Sequence, residues 1–259
     1  MKKAAKQDNA PLAEDHLKEV VMTTSSRGLF LSLVGTFFVW AGVNAFNCPE
    51  VVWKAALIIN LSCYALTWII YLKFRKTDHL IGKGLVVFLL FFNLFWLFGF
   101  AMFYFYFLFA PINSLARTIA LISMTLVLIH RAILVHRDIK SVLKAKQGLF
   151  DRIYYSNGES IIFNAEAFGV LQEARKDRNP FKSFYVYAAM FITPFVLVLN
   201  RLLSPIMGDG HGVFAVTAFF SVPILQWGVE IFAQTTLTTI YYPIKLQLQT
   251  GKPVLLKDW

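Results

Sequence analysis

Six long apolar runs separated by short polar breaks set the pattern of the chain: residues 28–47, 51–72, 84–110, 112–135, 183–206 and 213–241. At a rise of about 1.5 Å per residue, about 20 apolar residues in a helix cross the hydrocarbon core of a bilayer, and every run reaches that length. The breaks consist of helix stoppers and turn formers: Asn47-Cys48-Pro49-Glu50, the basic segment Lys73 to Lys83, Ala110-Pro111-Ile112-Asn113 and Gly208-Asp209-Gly210-His211-Gly212. The pattern predicts an all-α polytopic membrane protein with six transmembrane helices.

Between the fourth and fifth runs lies a polar insertion, residues 136–182. His136 to Gln147 continues the fourth helix as a basic segment. Asp151 to Tyr155 and Glu159 to Phe163 then flank Ser156-Asn157-Gly158, which reads as strand, tight turn and strand. Asn164 is placed to cap a helix running to Arg175, and Asn179-Pro180 stops it. A hairpin and one helix are too small to carry a core of their own, so the insertion is expected to lean on a partner or on other segments at the same membrane face. At the N-terminus, Pro11 to Met22 places Leu12, Leu17, Val20 and Val21 near one face, a short amphipathic helix that either packs at the interface or binds a partner. The expected organisation is a tail (1–27), four helices (28–135), the insertion (136–182), two helices (183–241) and a C-terminal tail (242–259).

Composition agrees with this pattern and excludes a soluble fold. Hydrophobic residues make up 57% of the chain and charged ones 15%, against about 45–50% and 25% in an average soluble domain. The net charge of +10 is a topology signal rather than a nucleic-acid footprint. Of the 25 Lys and Arg, only Lys54, Arg117 and Arg201 fall outside the N-tail, the 73–83 break, the 130–182 segment and the C-tail. By the positive-inside rule those four segments face the cytoplasm, which places both termini there, in the inner membrane, and requires an even number of helices. The N-tail carries Asp8, Glu14, Asp15 and Glu19 and is too long and acidic for a signal peptide, so the first run is expected to stay as an anchor. Cys48 and Cys63 lie about 18 Å apart in depth at helical rise, too far for a disulfide.

Few residues carry chemistry. Glu230 is the one carboxylate inside a run, and with Gln226 and Gln234 it forms an i, i+4, i+8 row on one helix face. Such a residue handles a proton or cation at depth, contacts a partner subunit or, if it sits near the cytoplasmic interface, is solvated while the glutamines bond neighbouring helices. Arg117 and Arg201 lie at similar depth near the outer ends of their helices, as an anion-binding pair or as two side chains snorkelling to headgroups. Pro194 and Pro223 fall inside the fifth and sixth runs, where they bend helices for packing or for gating. The third run holds thirteen aromatics in 27 residues, on every face, which reads as a lipid-exposed or partner-facing helix. The basic residues Arg131, Arg137, Lys140, Lys144 and Lys146 serve as a topology determinant that also attracts anionic headgroups.

No histidine or cysteine spacing suits a metal, and no phosphate-binding loop, zinc-protease motif or nucleophile elbow occurs. No catalytic residue, cofactor or metal is therefore assigned. The leading expectation is a non-catalytic inner-membrane protein, an accessory, scaffold or immunity-type component. It would bind another membrane or cytoplasmic protein through 136–182 and 11–22, with self-association left open. A transporter or channel subunit using Glu230 and the Gln226/Gln234 row is the alternative, and a membrane enzyme the third.

Overall fold

The apolar runs become helices, but not one for one. A computed structural model describes residues 13–74, 79–175, 183–207 and 211–256. Its helices are α1 (Ala13–Ala45), α2 (Val51–Phe74), α3 (Leu80–Phe109), α4 (Ser114–Ala145), α5 (Leu149–Ile153), α6 (Ala165–Ala174), α7 (Ser183–Ile192), α8 (Val196–Met207) and α9 (His211–Thr250). Five of these are long and apolar enough to cross a membrane: α1 from Val21 onward, α2, α3, α4 and α9. The chain is thus of the multi-pass α-helical class, with one small sheet.

The fifth run departs from expectation. Residues 183–207 form two helices of 10 and 12 residues joined by a 3-10 turn, Thr193–Phe195, built around Pro194. Proline lacks the N–H that the α ladder needs and its ring crowds the preceding turn, so the ladder breaks there instead of bending. Pro223, by contrast, stays inside α9 and is buried. Residues 13–22 form the first turns of α1 rather than a separate helix, and Val21 packs there against Tyr71 and Val86. The break residues 208–210, the stop at Asn179-Pro180 and residues 75–78 of the 73–83 break lie outside the described residues.

Local signals act at the turns. Asn113 caps α4 by accepting from the Leu115 N–H at 2.8 Å, and Asn164 caps α6 by accepting from the Ala167 N–H at 3.1 Å. Asn157 Oδ1 accepts from the Ser160 N–H at 2.9 Å, and Gly158 takes φ +102°, which closes the hairpin. The hairpin is shorter than its sequence pattern suggests. Asp151–Ile153 belong to the helical turn α5, and β1 (Tyr154–Ser156) pairs antiparallel with β2 (Ile161–Phe163), Tyr154 facing Phe163.

A third strand completes the sheet. β3 (Val254–Leu256), from the C-terminal tail, runs parallel to β2 with Ile161 opposite Val254. Three-residue strands have no stability alone, so the sheet rests on a shared core. Ile153, Tyr154, Ile161, Phe163, Leu171 and Val254 pack with Leu80 from the start of α3 and Val135 and Ile139 from α4. The insertion therefore leans on this chain's own helix ends and tail.

In the bundle, α3 is central rather than lipid-facing: Trp96, Leu97, Ala101, Phe103, Phe105 and Tyr106 are buried against α1, α2 and α9. Gly28, Gly35 and Gly42, one heptad apart on α1, leave room for Asn93, for Trp96 with Leu97, and for Phe105. A Cβ on Gly42 would lie 2.3 Å from Phe105 Cε1. Beside this seam, Ser32 Oγ donates to Asn93 Oδ1 at 3.0 Å, and Asn60 Nδ2 donates to the Ser32 carbonyl at 3.1 Å and to Thr36 Oγ1 at 2.6 Å. These bonds join α1, α2 and α3 by buried polar groups, as membrane helices do where lipid offers no partner. α4 stands at the periphery, with 11% of its most apolar window buried against 44% for α9.

Candidate functional site

The i, i+4 geometry of α9 puts Gln226 and Glu230 one turn apart on the face toward α4, its neighbour in the bundle. Arg131, on α4, donates through Nη2 to Gln226 Oε1 at 3.3 Å, and its Nη1 stands 3.8 Å from Glu230 Oε2. A second guanidinium arrives from the insertion: Arg175, the C-cap residue of α6, places Nη2 2.8 Å from Glu230 Oε1. The Glu230 side chain is 8% exposed, Arg131 17% and Arg175 15%. Glu230 is therefore not solvated at an interface; its two oxygens are each faced by an arginine.

Two guanidiniums converge on one carboxylate. Arg175 Nη1 is buried and bonds no acceptor. What the arrangement does physically is join three distant pieces of chain, α4, α9 and the end of α6. Gln234, the third residue of the row, is buried one turn further on, and its backbone carbonyl accepts from Thr238 Oγ1 at 2.9 Å.

A second tether lies next to it. The Tyr154 hydroxyl donates to the carbonyl of Thr238, within the π-helical stretch Thr236–Tyr241 of α9. Burial, with a smaller effect from Tyr242, pushes the Tyr154 phenol well above its usual range, so the group remains a donor. Two side-chain tethers to α9, Arg175 to Glu230 and Tyr154 to Thr238, thus add to the shared apolar core that joins insertion and bundle.

The expected cationic pair is divided between two settings. Arg117 Nη2 donates to the Ala110 carbonyl at 2.9 Å and closes the turn before α4, while Arg201 is exposed on α8. His211 is buried against the rings of Phe46 and Tyr106. Among the described residues no group of three or more His, Cys, Asp or Glu comes together. Cys48 and Cys63 are free thiols. A small pocket between α3 and α9, lined by Phe95, Ile224, Leu225, Trp227 and Gly228, holds about 10 Å³, room for no more than one water.

In the sequence Arg131 reads as one of the cytoplasmic basic residues and is missed as a partner for Glu230, although a signal for the pairing is present. It lies inside the run 112–135, and a cation within one membrane helix and an acid within another need each other. Arg175 carried no such signal, because nothing local distinguishes it from other loop arginines. No family model, curated protein or solved structure matches the chain.

Proposed function

We propose that the chain is a non-catalytic, six-pass inner-membrane protein with both termini in the cytoplasm, acting by binding another protein at its cytoplasmic face. The observation that carries the reading is the open edge of the small sheet. Among the described residues β1 has β2 on one side only, and Tyr155 is exposed on it. An unpaired strand edge offers backbone N–H and C=O groups to an added strand, a common way for a small sheet to take a partner. Because β3 and the helix ends complete the sheet's core, a partner is needed for the edge and not for the fold.

The two guanidiniums on Glu230 favour this reading over a transport subunit, since a carboxylate already held by two cations has little to offer a passing ion. A six-pass arrangement follows if α7 and α8 cross together as one broken helix, which keeps the basic segments on one side.

A photo-crosslinking amino acid at Tyr155 tests the proposal in native membranes. One discrete adduct is expected, absent when the same group replaces Leu248, which is exposed on α9. No adduct at 155, together with a chain that leaves several mild detergents alone and folded, would overturn it. Loss of an ion-dependent flux in proteoliposomes on Glu230→Gln would establish the transport reading instead. A periplasmic reporter fused after Asn164 is expected to be inactive; activity would reverse the orientation.

A further inference from the structure

The basic residues of α4 look alike in sequence, and the structure separates them. At about 100° per residue, Leu115, Ile119, Ile122, Leu126, Ile129 and Ile133 fall on one line of the helix, and all six are exposed. Arg131 lies on the opposite side, turned to Gln226 and Glu230. Arg137, Lys140 and Lys144 continue the exposed line and are themselves exposed. The one acid of α4, Asp138, is half-buried and off that line.

Distances along the axis match the layers of a bilayer. Arg137 stands one turn, about 6 Å, beyond Ile133, within the thickness of a headgroup layer, and Lys140 about 10 Å beyond it. Lys144, about 16 Å from Ile133, is within reach of the same layer because a lysine stem folds back along the helix while its ammonium stays in the headgroups. An apolar line that passes into a run of three cations with no acid among them is complementary to one kind of molecule, an acyl chain ending in an anionic phosphate.

We propose that the exposed line of α4 is a binding surface for anionic phospholipid of the cytoplasmic leaflet, with Ile129 and Ile133 against the acyl chain and Arg137, Lys140 and Lys144 on the headgroup. Arg131 takes no part, because its guanidinium serves Glu230. This surface is separate from the β1 edge, so neither proposal depends on the other.

The test uses the full chain reconstituted in phosphatidylcholine vesicles containing trace spin-labelled phosphatidylglycerol or spin-labelled phosphatidylcholine, with the immobilised lipid fraction read by electron spin resonance. The native protein is expected to prefer the anionic label. The triple variant Arg137→Gln, Lys140→Gln, Lys144→Gln is expected to lose that preference, at about fivefold per charge removed. Arg137→Lys keeps it, since a point charge suffices, and Lys146→Gln, exposed just past the helix end, keeps it as well. Because the substituted side chains are exposed, the triple variant is expected to melt with the native protein, and that melting curve is recorded in the same samples. Three results would each overturn the proposal: no preference in the native protein, a preference that survives the triple substitution, or an equal loss with Lys146→Gln.

Discussion

Replacing Glu230 by glutamine keeps its shape and removes its charge, which isolates the electrostatic part of the cluster. Arg131 and Arg175, 17% and 15% exposed, then lose the carboxylate that faces them where water barely reaches. Breaking a buried ion pair from one side costs about 3–5 kcal/mol, most of it the penalty of the stranded charge. The two arms differ. At 2.8 Å the Arg175 arm is a charge-assisted hydrogen bond, whereas at 3.8 Å the Arg131 arm is ionic contact alone, backed by its bond to Gln226. Double-mutant cycles should therefore give a larger coupling to Arg175, about 1.5–3 kcal/mol, than to Arg131. The native thiols supply the assay: Cys63 is buried and Cys48 half-buried, so a thiol-reactive dye reports unfolding in detergent as the temperature rises. Glu230→Gln is expected to lower the midpoint by roughly 6–20 °C, taking about 2–4 °C per kcal/mol for a chain of this size. Exchanging all three residues for methionine should recover most of the loss, because an apolar cluster has no charges to desolvate. A midpoint within a degree or two of native for Glu230→Gln, or a triple variant no better than the single, would refute the account of this cluster as a buried electrostatic tie.

Other expectations follow from the packing. Gly42→Val places a branched side chain where even a Cβ meets Phe105 at 2.3 Å, so thermal stability should drop by about 1–3 kcal/mol or more, with partial rescue by Phe105→Leu. Gly169→Ala, in α6 with nothing within 4 Å of the added carbon, should instead stabilise by about 0.5–1 kcal/mol in the same melting assay. Tyr154→Phe leaves the Thr238 carbonyl without its donor and should cost about 1–3 kcal/mol. Burial in the folded chain holds the Tyr154 proton above the ordinary phenol value of about 10, whereas the unfolded chain releases it near that value. Stability from this group is therefore complete below about pH 10 and lost as the pH rises further, which tyrosinate absorbance on folded and unfolded protein can check. Val254→Asp puts a charge into a fully buried strand position and should detach β3, seen as faster proteolysis within 154–163 while the membrane helices stay protected.

The sequence by itself determined whatever depends on a short window. Apolar run length made the helices, Asn113 and Asn164 set where α4 and α6 begin, and Asn157-Gly158 set the hairpin turn, because each acts on backbone groups within a few residues. Tertiary structure alone decided whatever depends on direction or on distant partners. An aromatic helix with rings on every face has no preferred side, so only the glycine seam of α1 could make α3 central; those three glycines at heptad spacing were a readable signal. Pairing of β3 with β2 joins residues some ninety positions apart, and three apolar residues in a tail announce no strand without an edge to receive them. The meaning of Glu230 was decided in the same way. Sequence marked it as the carboxylate within a helix, and the fold brought Arg131 and Arg175 to it, since a charge moved from water into a packed interior is stable there only beside its counter-charges.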